Sequence, residues 1–83
     1  MKKTAVQPKD DGKEIEKLTD REFEIFQLIG RGESSREIAK QLHVSPKTVD
    51  VHRGHIKEKL ELKNATSLLR QAVRWVETQS VDA

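Results

Sequence analysis

Two capping boxes, one at residues 19–22 and one at residues 34–37, are the features of this 83-residue chain that most constrain its fold. In Thr19 with Glu22, and again in Ser34 with Glu37, each side chain can bond the backbone N–H of the other residue. This pattern starts a helix, and the two boxes lie only 15 positions apart. The chain is therefore expected to form short helices that must pack against one another.

Further signals place the other helix ends. Ser45 is a good N-cap, and Pro46 occupies the first helical position, where its missing N–H costs nothing. Asn64 is expected to cap the last helix, and Gly30 and Gly32 to end the first. The sequence predicts an all-α, four-helix domain with a central helix-turn-helix at about 34–54. The predicted helices span about 20–29, two turns within 33–44, about 46–60 and about 65–78.

The remaining residues are expected to lie outside the domain. Residues 1–17 hold only four apolar residues among mixed charges, and Pro8 and Gly12 interrupt any period. We expect a flexible tail or interdomain linker there, a folded domain over 18–79, and a short tail at 80–83.

Composition excludes several classes of protein. The chain has no cysteine, so disulfides and thiolate chemistry are excluded, and it has no apolar stretch of the roughly 20 residues that a membrane helix needs. We expect a cytoplasmic protein with no membrane partner. The formal net charge is only +2, but residues 36–63 hold seven Lys or Arg against four Asp or Glu, whereas residues 18–35 hold two against four. The basic bias lies on the predicted helix-turn-helix.

Helical periodicity predicts which face of the third helix is buried. Val49, Ile56 and Leu60 line one face, and His52 and Arg53 lie at its borders. Glycine within a helix costs about 1 kcal/mol relative to alanine, so its presence on the outer face suggests that something approaches closely. The outer face comprises Lys47, Thr48, Asp50, Val51, Gly54, His55 and Glu58.

The fourth helix carries more apolar residues than one face needs. The stripe expected in the core is Leu69, Ala72, Val73 and Val76. Leu68 and Trp75 are left at its edge, either as extra apolar surface or, for Trp75, as the lid of a thin core.

Two chemical functions are not predicted. A metal site needs at least three converging ligands, and no third ligand with suitable spacing accompanies His52 and His55. His52 is instead expected to pack at a helix interface with a ring nitrogen bonded to backbone. No nucleophile–base pair or paired carboxylates stand out, so we expect neither an enzyme nor a cofactor.

A family resemblance rests on motifs spread over residues 18–60, LTDREFEIFQLIGRGESSREIAKQLHVSPKTVDVHRGHIKEKL. The matching residues are Leu18-Thr19-x-Arg21-Glu22, Gly32, Glu37-Ile38-Ala39-x-x-Leu42, Ser45-x-x-Thr48-Val49-x-x-His52 and Ile56-x-x-Lys59-Leu60. This pattern resembles the LuxR-type, or NarL/FixJ-type, DNA-binding domain, and the resemblance extends to about residue 76. It implies a third helix that enters the DNA major groove, often in the output domain of a two-component response regulator.

The resemblance and the groove chemistry together give candidate contacts, because the major groove offers donors, acceptors and the thymine methyl. The base-edge candidates are Lys47, Asp50, Val51, Gly54 and His55. The phosphate candidates are Ser34, Ser35, Arg36, Thr48, Lys57, Lys59 and Lys63.

The sequence departs from the commoner family pattern at four of its positions. Asp50 stands where many relatives carry Lys, and Gly54 where some carry a basic residue. Ser35 replaces a frequent Asn, and Ala65 a frequent Arg. The DNA sequence recognised by relatives is therefore not transferable to this chain, and Asp50 has a second reading, in which it only holds Lys47 or Arg53 in place.

The expected partners are double-stranded DNA and a second copy of the chain, with RNA polymerase as a further candidate. One recognition helix reads few base pairs, so we expect a homodimer on DNA through the fourth helix, with Leu68 and Trp75 as contact candidates. Two alternatives remain: a protein-interaction module that kept the fold without DNA binding, and sigma-factor-like promoter recognition. Residues 1–17 fit either a linker that follows a receiver domain or the start of a free-standing regulator.

Overall fold

The computed structural model describes residues 14–81, apart from the side chains of the last two. Four main helices follow one another, and the described residues contain no strand, which confirms the all-α prediction. The helices are α1 (Asp20–Gly30), α2 (Ser35–Leu42), α3 (Pro46–Lys59) and α4 (Ala65–Val81). The predicted starts of α1, α3 and α4 are confirmed, whereas α4 continues three residues beyond its predicted end.

The predicted helix starts form the expected hydrogen bonds. Thr19 Oγ1 accepts from the Glu22 N–H at 3.1 Å, and Glu22 Oε1 accepts from the Thr19 N–H at 3.0 Å. Ser34 and Glu37 repeat this reciprocal pair at 3.2 and 2.9 Å. The later N-caps are confirmed by bonds from Thr48 N–H to Ser45 Oγ and from Ser67 N–H to Asn64 Oδ1.

The first three helices end in the same way, with one residue in the left-handed region. These residues are Gly32 (φ 92°), His43 (φ 61°) and Glu61 (φ 56°). In each case the N–H of the following residue bonds the carbonyl five positions earlier, at 3.2, 3.0 and 2.8 Å. Such a motif reverses the chain within few residues. It leaves only residues 43–45 between α2 and α3, the tight connection that a helix-turn-helix needs.

The core lies where α1 contacts all three other helices and α2 contacts α3. Its largest fully buried side chains come from every helix: Phe26, Ile25, Ile29, Ile38, Val49, Ile56 and Leu68. The predicted inner face of α3 is confirmed, since Val49 and Ile56 are wholly buried and Leu60 is 7% exposed.

The predicted start of the domain at residue 18 is too late. Ile15 is buried with the core cluster, and the turn it begins bonds Ile15 O to the Leu18 N–H at 3.0 Å. A domain this small has a thin core, and Ile15 covers apolar surface that the four helices leave exposed. An isolated apolar residue in a charged segment can therefore still be buried. The rest of the predicted tail, residues 1–13, lies outside the described residues.

The predicted orientation of α4 is wrong by about one residue. Leu68 is wholly buried, whereas Leu69, which was expected in the core, is 45% exposed. Leu68, Ala72 and Trp75 repeat at i, i+4, i+7, just as Leu69, Ala72 and Val76 repeat at i, i+3, i+7, so periodicity alone does not distinguish the two faces.

Close packing of α1 against α4 depends on Gly30. A Cβ at this position would overlap the carbonyl oxygen of Ala72 and lie 2.6 Å from Val76 Cγ2. The two backbones therefore approach at a position where no side chain fits.

Candidate nucleic-acid interface

The outer face of α3 is exposed, as its periodicity predicted. Lys47, Asp50 and Val51 lie on it, opposite Val49 and Ile56, and Thr48 and Glu58 are exposed as well. Val51 is half exposed, one of two large apolar side chains so placed among the described residues. An exposed valine beside a lysine and an aspartate gives this face both apolar and charged groups for contact with a partner.

Gly54 lies on the same face and is not required by the packing of the protein. A Cβ built on it would meet nothing within 4 Å, and its backbone is helical without a positive φ. The glycine thus leaves free space outside the helix, between the exposed Val51 and the C-terminal half of α3.

Asp50 has a partner that neither sequence interpretation anticipated. Its Oδ1 accepts a hydrogen bond from Ser35 Oγ at 2.8 Å, which joins the start of α2 to the outer face of α3. Neither Lys47 nor Arg53 has a recorded hydrogen bond or ion pair with this carboxylate. Both partners stand where the sequence departs from the commoner family pattern, so the two departures are complementary.

The start of α2 is already occupied by acidic side chains. The Ser34 N–H donates to Glu37 Oε1, and the Ser35 hydroxyl donates to Asp50. A phosphate here would gain from the positive end of the helix but would meet two carboxylates. Two of the donors available to it, the Ser34 N–H and the Ser35 hydroxyl, are already engaged within the protein.

Lys59 is also engaged within the domain. Its Nζ lies 2.6 Å from Oε1 of Glu22, whose exposed fraction is only 4%. Burial alone raises the pKa of the Glu22 carboxyl, but the hydrogen bonds from Lys59 and from the Thr19 N–H outweigh it and hold the pKa below its ordinary value. The carboxylate is therefore ionised at neutral pH, and Lys59 compensates its charge.

His55 lies at the border of the outer face and contacts the same carboxylate. Its Nδ1 is 3.8 Å from Glu22 Oε2, and its ring forms an edge-on pair with His52 at 6.3 Å between centroids. The side chain is 54% exposed. Among the base-edge candidates, His55 is thus the one directed toward α1.

The structure bears on two predictions about the histidine pair. His52 Nδ1 is buried without a hydrogen-bond partner, so this ring nitrogen is not the one that makes the bond to backbone expected from the sequence. The argument that no third ligand accompanies the histidines is wrong, because Glu22, His52 and His55 each place a ligand atom within 4.8 Å of the others. The spacing of the histidines does not reveal this group, because Glu22 comes from a different helix. The capping box also already accounted for a glutamate at this position.

The other phosphate candidates lie at the surface. Arg36, Thr48 and Lys63 are exposed and Lys57 is half-buried. Thr48 Oγ1 lies 3.0 Å from Ser45 Oγ. None of these four basic or hydroxyl side chains has a recorded ion pair among the described residues.

The two contact candidates on α4 are used inside the domain. Leu68 is wholly buried and cannot contribute surface to a dimer, which corrects that prediction. Trp75 packs on the core, with its ring edge-on to Phe23 at 6.0 Å. The apolar side chain that α4 does expose is Leu69.

Two short helices joined by three residues, the second with a buried inner face and an exposed outer face, define a helix-turn-helix DNA-binding domain. Residues 16–72 match the family described as bacterial regulatory proteins, luxR family. The chain belongs to this family. DNA binding in transcription regulation is therefore the function of the domain.

Relatives with curated names share the same region. The oxygen regulatory protein NreC of Staphylococcus carnosus is 46% identical over 57 residues, and the uncharacterized response regulatory protein YgeK of Escherichia coli K12 is 46% identical over 57 residues. NreC of Staphylococcus haemolyticus is 44% identical over the same length. The matched region is 69% of this chain but only 26%, 39% and 26% of these relatives. No solved structure matches the chain at a significant level.

Membrane association through a spanning helix finds no support in the described residues. None of their helices combines the length and the apolar character that crossing a bilayer requires.

Proposed function

We propose that the N-terminal half of α3 enters the DNA major groove and reads base edges with Lys47, Val51 and Asp50. The observation that carries this proposal is the exposed Val51, which has half of its surface free on a helix face that is otherwise polar. An apolar side chain in this position suits the thymine methyl, and Lys47 suits guanine acceptors. Asp50 retains acceptor capacity beside its bond to Ser35 and suits the amino group of cytosine.

The backbone contacts in this proposal come from side chains that have no recorded ion pair. Arg36, Lys57 and Lys63 carry the positive charge, and Thr48 supplies a hydroxyl. Lys59 is omitted because binding phosphate would separate it from Glu22, and a buried carboxylate left without its partner is costly. Gly54 supports the proposal as the position at which DNA approaches the helix backbone.

Val51→Glu tests the reading face. The substitution places a negative charge at the proposed groove contact, while half exposure keeps the folding cost small. We expect specific binding to be lost with helicity and Tm nearly unchanged. The matched control is Gln79→Glu, which adds the same charge at an exposed position near the end of α4. Fluorescence anisotropy with labelled operator DNA at several salt concentrations measures both affinity and the number of phosphate contacts.

Two results would contradict the proposal. If Val51→Glu binds DNA as Gln79→Glu does, α3 does not read the groove through this face. If affinity for DNA is independent of salt in the unchanged chain, the proposed phosphate contacts of Arg36, Lys57 and Lys63 are absent.

We further propose that the domain is the output part of a longer response regulator that works in the bacterial cytoplasm. The names of the relatives support this, as does the small share of their length that the match covers. A single α3 reads only a few base pairs, so two copies are expected on half-sites about one helical turn apart. Leu69 replaces Leu68 as the proposed centre of an α4–α4 contact, and RNA polymerase is proposed as a partner of the DNA-bound dimer.

Half-site titration tests the dimer. A palindromic site should bind the unchanged chain cooperatively, and Leu69→Arg should bind it no better than two independent half-sites. Equal affinity for half and full sites, or full cooperativity in Leu69→Arg, would exclude α4 as the interface.

A further inference from the structure

We propose that Glu22, His52 and His55 form a binding site for a divalent transition-metal ion of the zinc type. One ligand atom from each residue lies within 4.8 Å of those of the other two. Glu22 comes from α1 and the two histidines come from α3, so an ion at this place would bridge two helices of the domain.

The donor set suits this class of ion. Two imidazole nitrogens and one carboxylate oxygen are a common ligand set for Zn²⁺, with a fourth position left for water. Imidazole donors also disfavour Mg²⁺ and Ca²⁺, which prefer oxygen ligands. The spacing of the histidines at i and i+3 places both rings on adjacent positions of one helix face.

Hydrogen bonds within the protein hold the Glu22 carboxylate in one orientation, as is usual for a metal ligand. Its Oε1 is held by the Thr19 N–H at 3.0 Å and by Lys59 Nζ at 2.6 Å. Its Oε2 faces Nδ1 of His55 at 3.8 Å. Hydrogen bonds to the atoms of a ligand that do not touch the metal fix its orientation. Oε2 is therefore available while Oε1 keeps the carboxylate in place.

His52 gives an independent reason to expect a ligand. Its Nδ1 is buried and has no hydrogen-bond partner. A buried nitrogen of this kind has lost its hydrogen bond to water, and coordination of an ion through Nδ1 would compensate for that loss. In a tetrahedral site the donor atoms would lie about 3.4 Å apart, from metal–ligand distances of about 2.1 Å. Rotation of the half-exposed His55 ring can shorten its own distances to the other two ligand atoms.

Lys59 sets the expected strength of the site. Its ammonium lies beside the carboxylate and repels a cation, so binding should be weaker than in a structural zinc site that has four protein ligands. Lys59→Gln removes this repulsion and keeps a hydrogen-bond donor. We therefore expect Lys59→Gln to bind Zn²⁺ more tightly than the unchanged chain.

The test is titration of the 83-residue chain with Zn²⁺, followed by calorimetry and by the NMR signals of the histidine ring nitrogens. We expect one ion per chain, with the ring signals of His52 and His55 shifted and those of His43 unmoved. His55→Asn should weaken binding at least tenfold. The matched control is His43→Asn, which removes an exposed histidine from a left-handed position that asparagine tolerates.

Several results would overturn the proposal. Equal Zn²⁺ affinity in His55→Asn and in the unchanged chain would place any bound ion elsewhere. A shift of the His43 signals in place of those of His52 would do the same, and so would an affinity too weak to measure at millimolar Zn²⁺. Weaker Zn²⁺ binding in Lys59→Gln than in the unchanged chain would contradict the repulsion assigned to the lysine ammonium. None of these measurements includes DNA, so failure of the metal site leaves the proposed DNA contact untouched.

Discussion

Gly54→Ala should make the free domain more stable. A glycine inside a helix costs about 0.8–1.0 kcal/mol relative to alanine because its backbone loses more freedom on folding. At Gly54 the new methyl would meet no atom within 4 Å, so no clash offsets this gain. In a domain of 60–100 residues 1 kcal/mol corresponds to about 4–8 °C in Tm, and calorimetry or thermal circular dichroism resolves a shift of that size.

The same substitution at Gly30 is the matched control, and it should act in the opposite direction. There the methyl would overlap the carbonyl oxygen of Ala72, a backbone atom that cannot rotate away. Overpacking of this kind costs about 1–3 kcal/mol. We therefore expect Gly54→Ala to raise Tm and Gly30→Ala to lower it, although both replace a helical glycine by the best helix former.

A DNA-binding assay of Gly54→Ala shows whether the substitution that stabilises the free domain also impairs its function. If DNA approaches the backbone of α3 at Gly54, the added methyl should weaken binding by about tenfold or more, since tenfold corresponds to 1.4 kcal/mol. Unchanged affinity would refute the close approach at this residue. A lower Tm for Gly54→Ala would refute the reasoning about the free protein, because it would mean that the fold itself requires the glycine.

Three further results are expected from the described contacts. The pKa of Glu22 is lower in the folded than in the unfolded chain. The ionised carboxylate therefore stabilises the fold fully above about pH 4.3, and this contribution is lost as the pH falls further. Between pH 6 and pH 3, Tm should decrease less in Glu22→Gln than in the unchanged chain. Leu68→Ala should cost about 2–5 kcal/mol in urea unfolding and Leu69→Ala no more than about 0.5 kcal/mol; similar costs would contradict the orientation of α4. Glu61→Gly, at a left-handed position, should raise the urea midpoint, and a lower midpoint would mean that the glutamate side chain has a role beyond its backbone.

Local signals predicted much of the fold. Each N-cap was readable because the residue that caps and the N–H that it accepts lie within three positions, as in Thr19 with Glu22. The inner face of α3 was also readable, since Val49 and Ile56 stand among polar neighbours. In α4 apolar residues cover two overlapping faces, and only packing against the other helices decides that Leu68 is buried and Leu69 exposed.

The sequence predicted which face of α3 is exposed. It did not predict which side chains of the candidate site already have partners within the domain. Asp50 and Lys59 were assigned to DNA from their type and position on the helix. Their partners, Ser35 and Glu22, lie 15 and 37 residues away in sequence, and no local pattern shows such contacts. The metal-ligand group was missed for the same reason.

These two contacts bear on how α3 presents its reading face. Asp50 and Lys59 are nine residues apart, which is about 13 Å along a helix at 1.5 Å per residue. The contact with Ser35 of α2 near one end and with Glu22 of α1 near the other restricts both the direction of α3 and its rotation. A helix held in this way loses less freedom on binding, and less of the contact energy is then spent on ordering it. Through their contacts with Ser35 and Glu22, Asp50 and Lys59 can thus contribute to DNA recognition by fixing where Lys47 and Val51 point.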